Sequence, residues 1–155
     1  MGVDPDITRQ IIHEELQGMI PLIASYRWEV NFDLDNPIVT VEMVSSVKQE
    51  RYIIEAKCDD YKALPPYFEF LHPTNNGERG TKRCYPSDGS FFHGTPCICV
   101  EWNRKAYASH GGPHNEWQMT NWVNRRPGMS TLGDMFHLVQ RLINDPSKYR
   151  GRMEQ

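Results

Sequence analysis

Three stretches with the residue pattern of β-strands follow one another closely, and the turns between them are short. Residues 26–34 alternate apolar and polar side chains, residues 38–47 are rich in β-branched side chains, and Arg51–Lys57 holds a tyrosine followed by two isoleucines. The connections are the turn 35–37, which reads Asp-Asn-Pro, and the polar turn 46–50. Parallel neighbours require a crossover of a dozen or more residues. The spacing therefore predicts an antiparallel meander.

Two amphipathic helices are predicted, one on each side of these strands in the sequence. Residues 6–24 carry apolar side chains at helical spacing, with Asp6 as the N-cap and Pro21 ending or kinking the helix. Residues 131–144 carry a second apolar stripe. Thr131 is its predicted N-cap, and the acid three residues later makes a variant of the capping box.

The chain between the meander and the last helix is mostly irregular. A fourth strand is predicted at Tyr67–Leu71, followed by a polar loop over residues 72–90 that contains three glycines and no periodicity. Ordered chain is predicted to resume at residues 91–93 and 96–102, and residues 103–129 form another irregular stretch. The predicted fold class is α+β, with an N-terminal helix, an antiparallel meander sheet, long loops at the candidate active site and a C-terminal helix.

Length and charge exclude several classes of protein. The 155 residues suit one domain, predicted to cover residues 1–155, and 39% hydrophobic with 11% aromatic residues exclude a disordered tail. Seventeen basic against 20 acidic residues give a net charge of −3, which argues against nucleic acid and anionic membranes as partners. No apolar run approaches the roughly 18 residues of a membrane span. The first residues lack the pattern of a secretory signal, so a cytoplasmic location is predicted.

Four features in a fixed order carry a family resemblance. The N-terminal helix leads into the meander, and residues 60–70 then read Asp-Tyr-Lys-Ala-Leu-Pro-Pro-Tyr-Phe-Glu-Phe. Residues 98–100 read Ile-Cys-Val. Trp122 precedes the Ser-Thr-Leu of residues 130–132, and the last helix ends at residues 142–146, Leu-Ile-Asn-Asp-Pro. Together these features, spread over nearly the whole chain, resemble the ubiquitin-conjugating enzymes.

The resemblance implies an activity and a set of partners. Cys99 is expected to receive the C-terminus of a ubiquitin-like modifier as a thioester from an activating enzyme and to pass it to an amine. Divergent bacterial members of the family, found in antiviral operons beside ubiquitin-like proteins, activating enzymes and JAB-type peptidases, are similar to this chain. The expected partners are therefore a modifier, an activating enzyme that docks near the N-terminal helix, and a JAB-type peptidase of the same system.

Acyl transfer of this kind requires an accessible thiol, some thiolate character and a donor for the oxyanion. Cys99 is the predicted nucleophile, and Cys97 is the alternative because it shares a face with Cys99 on a strand. The family's His-Pro-Asn triplet upstream of the cysteine has no counterpart nearby, so asparagines elsewhere become the candidate donors. The candidate acid–base histidines are His93, His110 and His114, and the candidate oxyanion donors are Asn103, Asn115 and Asn121.

Two alternatives to the conjugating enzyme remain open. Cys99, Glu101, His110 and His114 resemble a predicted metal-binding domain named for its Cys-Glu-His-His pattern, and zinc accepts such S, O and N ligands. The two hypotheses compete for one thiol, because a zinc-bound thiolate is a poor acyl carrier. The second alternative is a catalytically inactive relative that only binds the modifier or another partner.

Other chemically conspicuous residues are assigned to structure. Cys58 is predicted to be a structural thiol and Cys84 a loop thiol. His13 is predicted on a solvated helix face, His137 is predicted to be structural, and Trp28 is predicted in the core.

Overall fold

The structure is a computed structural model, and it describes residues 2–89, 91–109, 119–124 and 126–155. The described helices are α1 (Pro5–Gly18), α2 (Ile20–Tyr26), α3 (Arg104–Ser109), a 3₁₀ segment (Met119–Asn124) and α4 (Leu132–Ile143). The strands are β1 (Glu29–Asp33), β2 (Ile38–Val44), β3 (Arg51–Lys57), β4 (Tyr67–Leu71), β5 (Phe92–His93) and β6 (Cys97–Ile98). Within these ranges, every helix is too short or too polar to cross a lipid bilayer.

Four strands form one antiparallel sheet in the order β1-β2-β3-β4, and β5 pairs with β6 in a separate hairpin. Val41 of β2 lies opposite Ile54 of β3, which lies opposite Phe70 of β4. Residues directly opposite each other share one face of a sheet, and all three side chains are buried, so this row marks the inner face. The predicted α+β class and the predicted meander are confirmed.

The N-terminal region is two helices instead of the single predicted one. The side chain of Asp4 accepts a hydrogen bond from the backbone N–H of Asp6, at 2.8 Å, so Asp4 is the N-cap and the prediction of Asp6 is wrong. Pro5 follows at the first helical position, where its missing N–H costs nothing. Pro21 lies in the first turn of α2, because a proline has no N–H with which to continue α1.

Strand β1 begins three residues later than predicted. Tyr26 is the last residue of α2, and Arg27 ends that helix in the left-handed conformation, with φ of 58°. The rings of Tyr26 and Trp28 stack with centroids 5.7 Å apart, and Trp28 is buried, as predicted. The apolar side chains of Tyr26 and Trp28 therefore belong to the end of α2 and the turn after it. Pairing with β2 starts at Glu29.

Strand β2 ends three residues before the predicted boundary. The backbone N–H of Ser45 donates to the carbonyl of Glu50 at 2.9 Å, which closes the turn, and its hydroxyl donates to the carbonyl of Ile143. The polar atoms of Ser45 therefore bind the turn and the end of α4, and they no longer continue the ladder. The predicted bounds of β3 and β4 are confirmed.

Helix α4 covers the inner face of the sheet, and its position close to residues 131–144 confirms the prediction. Phe136 packs edge-on against Trp28, with ring centroids 6.4 Å apart. The indole N–H of Trp28 donates to Gln140 Oε1 at 2.8 Å, and the amide of Gln140 donates to the carbonyl of Val44 at 3.0 Å. A buried glutamine therefore connects α4 to the residue before β1 and to the end of β2, which lie side by side in the antiparallel pair.

The capping box at the start of α4 allows a first prediction about stability. The hydroxyl of Thr131 accepts the N–H of Asp134 at 3.2 Å, and the Asp134 carboxylate accepts the N–H of Thr131 at 3.3 Å. We expect Thr131→Ala to lower the free energy of unfolding by about 1 kcal/mol, because one N–H at the helix start loses its acceptor. Urea unfolding measures the change, and Thr131→Ser, which keeps the hydroxyl, is the control. Equal destabilisation by both variants would contradict the capping role.

The polar stretch 72–90 has no helix or strand in its described part, as predicted, but it is held to the rest of the chain at several points. Its residue Arg79 forms an isolated bridge with Leu71 at the end of β4. Cys84 lies in the loop, as predicted, but Cys84 and Tyr85 are fully buried, so its thiol is in the core. Two buried side chains fix the middle of the stretch to the core although its composition is polar.

Candidate active site around Cys99

The four cysteines, all within the described part of the chain, differ sharply in exposure. Cys58, Cys84 and Cys97 are 0% exposed, whereas Cys99 is partly exposed. All four are in the thiol form. The predicted structural role of Cys58 agrees with its burial, which also raises the pKa of its thiol far above the ordinary value.

Cys97 and Cys99 do not share a face, which corrects the expectation for the pair. Strand β6 ends at Ile98, and the backbone N–H of Val100 donates to the carbonyl of Ile98 at 3.1 Å. This tight turn ends the alternation of a strand, so Cys97 points into the core and Cys99 lies at the surface. The backbone N–H of Cys99 donates to the carbonyl of Phe91 at 3.1 Å, which fixes the turn to the strand β5 side of the hairpin.

Asn103 braces the backbone next to the cysteine and is completely buried. Its amide nitrogen donates to the carbonyl of Ile98 at 2.8 Å, and its oxygen accepts the N–H groups of Phe68 and Lys105 at 2.9 and 3.1 Å. The side chain therefore links the β5–β6 hairpin, strand β4 and the start of α3. Its bonds serve the scaffold, and the structure gives it the geometry of a positioning residue.

The other predicted site residues are distributed unevenly. His93 is exposed at the end of β5, opposite Cys97 in the hairpin, and its Nδ1 accepts the N–H of Thr95 at 3.3 Å. Asn121 is exposed and accepts a hydrogen bond from Asn124 at 2.8 Å. The predictions that concern His110, His114 and Asn115 lie outside the described residues.

The described surroundings of Cys99 raise the pKa of its thiol. Partial burial is the main cause, and the carboxylate of Glu101 adds to it, because both disfavour a negative charge on sulfur. Burial raises the pKa of Cys97 further, to about 12. The Glu101 carboxylate lies 3.5 Å from the guanidinium of Arg126. The described groups around Cys99 therefore oppose the thiolate.

A short helix after the cysteine was absent from the prediction, which left residues 103–129 irregular. Helix α3 follows Asn103, whose side chain accepts from Lys105 at its first turn. The guanidinium of Arg104 donates to the Asp59 carboxylate at 2.9 Å and to the carbonyl of Pro65 at 3.0 Å. The signal in the sequence was the capping asparagine before Arg-Lys-Ala-Tyr-Ala, a short run with four good helix formers.

Two of the four sequence features quoted for the family resemblance pack against each other. The rings of Tyr61 and Trp122 lie 6.1 Å apart, and both side chains are buried. The indole N–H of Trp122 donates to the carbonyl of Lys62 at 3.2 Å. The segment before β4 and the 3₁₀ segment before α4 are thereby joined beside the core.

Neither a protein-family model nor a curated protein matches this chain. The resemblance to ubiquitin-conjugating enzymes rests on the residues already quoted. For the alternative metal site, the described residues contain no group of three His, Cys, Asp or Glu side chains placed to hold an ion. Of the predicted ligand set, Cys99 and Glu101 are described, and the two histidines lie outside the described ranges.

The effect of Glu101 on the thiol gives a testable pH dependence. We expect Glu101→Gln to move the pKa of Cys99 back toward its ordinary value, since a carboxylate that disfavours the thiolate is removed. The thiolate is the reactive form, so alkylation by iodoacetamide at neutral pH should become severalfold faster and its pH profile should move to lower pH. Stopped aliquots analysed by intact mass measure the rate. Glu14→Gln, an exposed acid on α1, is the control, and equal rates for both variants would contradict the prediction.

Proposed function

We propose that this chain is an acyl carrier of the ubiquitin-conjugating type, holding the C-terminus of a ubiquitin-like modifier as a thioester on Cys99. The modifier comes from an activating enzyme and passes to an amine acceptor. The observation that carries the proposal is the accessibility of Cys99, which is partly exposed within its Ile-Cys-Val sequence while the other three cysteines are fully buried. A carrier thiol must be reached by two large partners in turn, and exposure is the first requirement.

The arrangement of elements supports the same proposal. An N-terminal helix, a four-stranded antiparallel meander and a C-terminal helix occur in the order that the family resemblance implies. The packing of Trp122 on Tyr61 joins two of the resembling segments. The tight turn after Ile98 presents the cysteine at the surface, and Asn103 holds that turn by bonding the Ile98 carbonyl.

The chemistry is an exchange between two thioesters followed by aminolysis. The Cys99 thiolate attacks the carbonyl carbon of the thioester on the activating enzyme, a tetrahedral oxyanion forms, and the enzyme's thiolate leaves. Because one thioester replaces another, the exchange is nearly balanced in energy and requires no strong base. The raised pKa of the Cys99 thiol lowers the fraction of reactive thiolate at neutral pH and so slows this attack, although each thiolate that forms is a stronger nucleophile.

In the second step the amine attacks the thioester carbonyl, loses a proton and expels the Cys99 thiolate. His93, His110 and His114 remain the proposed proton acceptors for the amine, since imidazole accepts a proton near neutral pH. His93 is exposed in the hairpin that ends just before Cys99. Asn103 is proposed as the positioning residue of this turn.

The proposal includes the setting implied by the resemblance. The protein acts in the cytoplasm as part of a bacterial antiviral conjugation system, with a ubiquitin-like modifier and an activating enzyme as direct partners. A JAB-type peptidase of the same system is the third proposed partner, which removes or processes the modifier. Neither nucleic acid nor membrane is part of the proposed reaction.

Reconstitution with the activating enzyme, the modifier and ATP tests the proposal. We expect one modifier per chain, attached by a bond that a thiol reductant cleaves, with Cys99 identified as the site by peptide mapping. Cys99→Ser should form an oxygen ester that survives the reductant and is cleaved by alkali. Absence of any adduct, with an activating enzyme that charges its own cysteine normally, would contradict the proposal.

Metal analysis separates the proposal from the zinc alternative. About one zinc per chain in untagged protein purified without chelator, lost in Cys99→Ala, would assign Cys99 as a ligand and exclude the acyl-carrier role. A metal-free folded protein leaves Cys99 available as the nucleophile. If Cys99→Ala keeps the full biological effect of the system, the inactive modifier-binding relative replaces the conjugating enzyme.

A further inference from the structure

The two edges of the main sheet are treated differently by the rest of the chain. At the β4 edge, the carbonyl of Phe70 accepts the N–H of Gly80 at 2.9 Å, and the N–H of Phe68 donates to Asn103. A bridge between Leu71 and a residue of the 72–90 stretch covers the end of the same strand. This edge therefore cannot pair with another strand.

The β1 edge has no such cover among the described residues. Strand β1 is the other end of the sheet order, and four of its five residues are exposed. In the described ranges, no hydrogen bond from another element reaches the backbone of Glu29–Asp33 on the side away from β2. The strand also lacks the proline, lysine or bulge with which proteins commonly block an edge. An extended segment can bond to this backbone without displacing any described part of the chain.

An apolar side chain stands exposed on the inner face of the same strand. Phe32 pairs with the buried Val39 and Val30 pairs with the buried Val41, so both lie on the side of the core. Yet Phe32 is 56% exposed, because the core ends before it. One more strand beside β1 would cover this ring with its own inward-facing side chains.

The charges along the β1 edge indicate which kind of strand it can bind. Glu29 pairs with Glu42 in the register, and one guanidinium, that of Arg51, serves both carboxylates. At the other end of the strand the carboxylate of Asp33 is held only by neutral donors, chiefly the Asn36 amide. Asp33 lies opposite Ile38 of β2, which lies opposite Lys57 of β3. The cation Lys57 is therefore two strands, about 10 Å, from Asp33. The edge is therefore acidic at both ends.

These charges disfavour a second copy of the chain as the occupant. Two copies of β1 related by a two-fold axis through the strand centre would pair antiparallel, with Asn31 opposite its equivalent. Glu29 would then lie opposite the other copy's Asp33 at both ends, and like charges directly opposite each other destabilise a strand pair. A strand with basic residues opposite Glu29 and Asp33 would instead form two pairs of opposite charge, which stabilise a strand pair.

We propose that β1 is a docking edge that adds an extended protein segment in which apolar side chains alternate with lysine or arginine. The apolar side chains cover Phe32 and Val30 on the inner face, and the basic side chains lie opposite Glu29 and Asp33 on the outer face. The main-chain hydrogen bonds supply affinity and the two charges supply selectivity. The proposal is independent of the chemistry assigned to Cys99.

The test uses a blocked synthetic peptide, acetyl-Lys-Val-Thr-Val-Lys-amide, titrated into the isotopically labelled full chain and followed by nuclear magnetic resonance. We expect shifts in the amide signals of β1 that saturate, and a peptide with glutamate in place of both lysines to bind at least about tenfold more weakly. N-methylation at positions 2 and 4, or at 1, 3 and 5, blocks opposite sides of the peptide strand. One of these two forms should lose binding, because only one side bonds to β1.

A matched pair of variants locates the site. Glu29→Lys should weaken the lysine peptide severalfold, whereas Glu154→Lys, with the same charge change at an exposed residue near the C-terminus, should leave its binding unchanged. Equal binding by both N-methylated forms, equal effects of the two variants, or no shift in β1 would overturn the proposal. A dimer in sedimentation that Glu29→Lys alters would assign the edge to a second copy and would overturn it as well.

Discussion

Cys99→Ala should abolish the transfer of an acyl group from a small thioester to this chain, lowering the rate by at least about 100-fold. The donor is the thioester of glycylglycine with mercaptoethanesulfonate, which requires no partner protein. In the wild type the Cys99 thiolate should displace mercaptoethanesulfonate and gain one diglycyl group, because this thiol is partly exposed. Intact mass spectrometry of the native protein measures the adduct, and hydroxylamine or reductant should remove it.

Cys97→Ala is the matched control for this experiment. Cys97 lies two residues away, but it is fully buried and burial raises the pKa of its thiol to about 12, so it should accept almost no acyl group. The control variant should keep the transfer rate within about twofold of the wild type. The opposite pattern, with transfer lost in Cys97→Ala and kept in Cys99→Ala, would show that the nucleophile has been assigned to the wrong cysteine.

Glu15→Ala should lower the free energy of unfolding by about 3 kcal/mol, because three donors lose an acceptor at roughly 1 kcal/mol each. The buried carboxylate of Glu15 accepts the hydroxyl of Tyr61 at 2.7 Å, the ammonium of Lys62 at 3.0 Å and the backbone N–H of Leu132 at 2.7 Å. Its removal leaves three donors without this acceptor, all of them outside α1: two lie between β3 and β4 and one lies at the start of α4. Urea unfolding followed by tryptophan fluorescence measures the loss.

Glu14→Ala is the control, because Glu14 is the neighbouring acid on the same helix and is exposed. Among the described residues its carboxylate accepts a hydrogen bond only from the amide of Gln10, one turn away at 3.3 Å, so its removal should change the free energy of unfolding by less than about 0.5 kcal/mol. Glu15→Gln, which keeps one acceptor oxygen, should fall between the two. Equal stability of Glu14→Ala and Glu15→Ala would mean that the carboxylate of Glu15 does not hold α1 to α4.

Local patterns correctly predicted the elements in which all local signals favour one secondary structure. Strand β4, entered through two prolines, is residues Tyr67–Leu71 in both the prediction and the structure. Helix α4 begins after the predicted cap Thr131, because a capping box satisfies its own N–H groups within four residues. In these segments the residue pattern, the cap or turn residues and the buried face all favour the same structure. Packing against neighbouring elements therefore did not change it.

Predictions failed where a side chain is bound by a distant part of the chain. Tyr26 continues the alternation of a strand, but it is the last residue of α2, and its hydroxyl lies 3.1 Å from Nε2 of His137 on α4, 111 residues away. Ser45 ends β2 because its hydroxyl bonds the end of α4, 98 residues away. The partners that decide such boundaries are separated from them by most of the sequence, so no local window contains the information.

In the candidate site, too, some properties follow from the local sequence and others from contacts with distant residues. The residue patterns alone predicted the α+β order of elements, the capped last helix and a short set of residues able to act as nucleophile, acid–base group or oxyanion donor, Cys99 among them. The difference in exposure between Cys97 and Cys99 came from the tertiary fold, because it depends on the turn that follows Ile98 and on the buried Asn103 that holds this turn. Residue type and spacing set what a side chain is able to do, whereas burial, which sums contacts from remote elements, sets whether a partner reaches it.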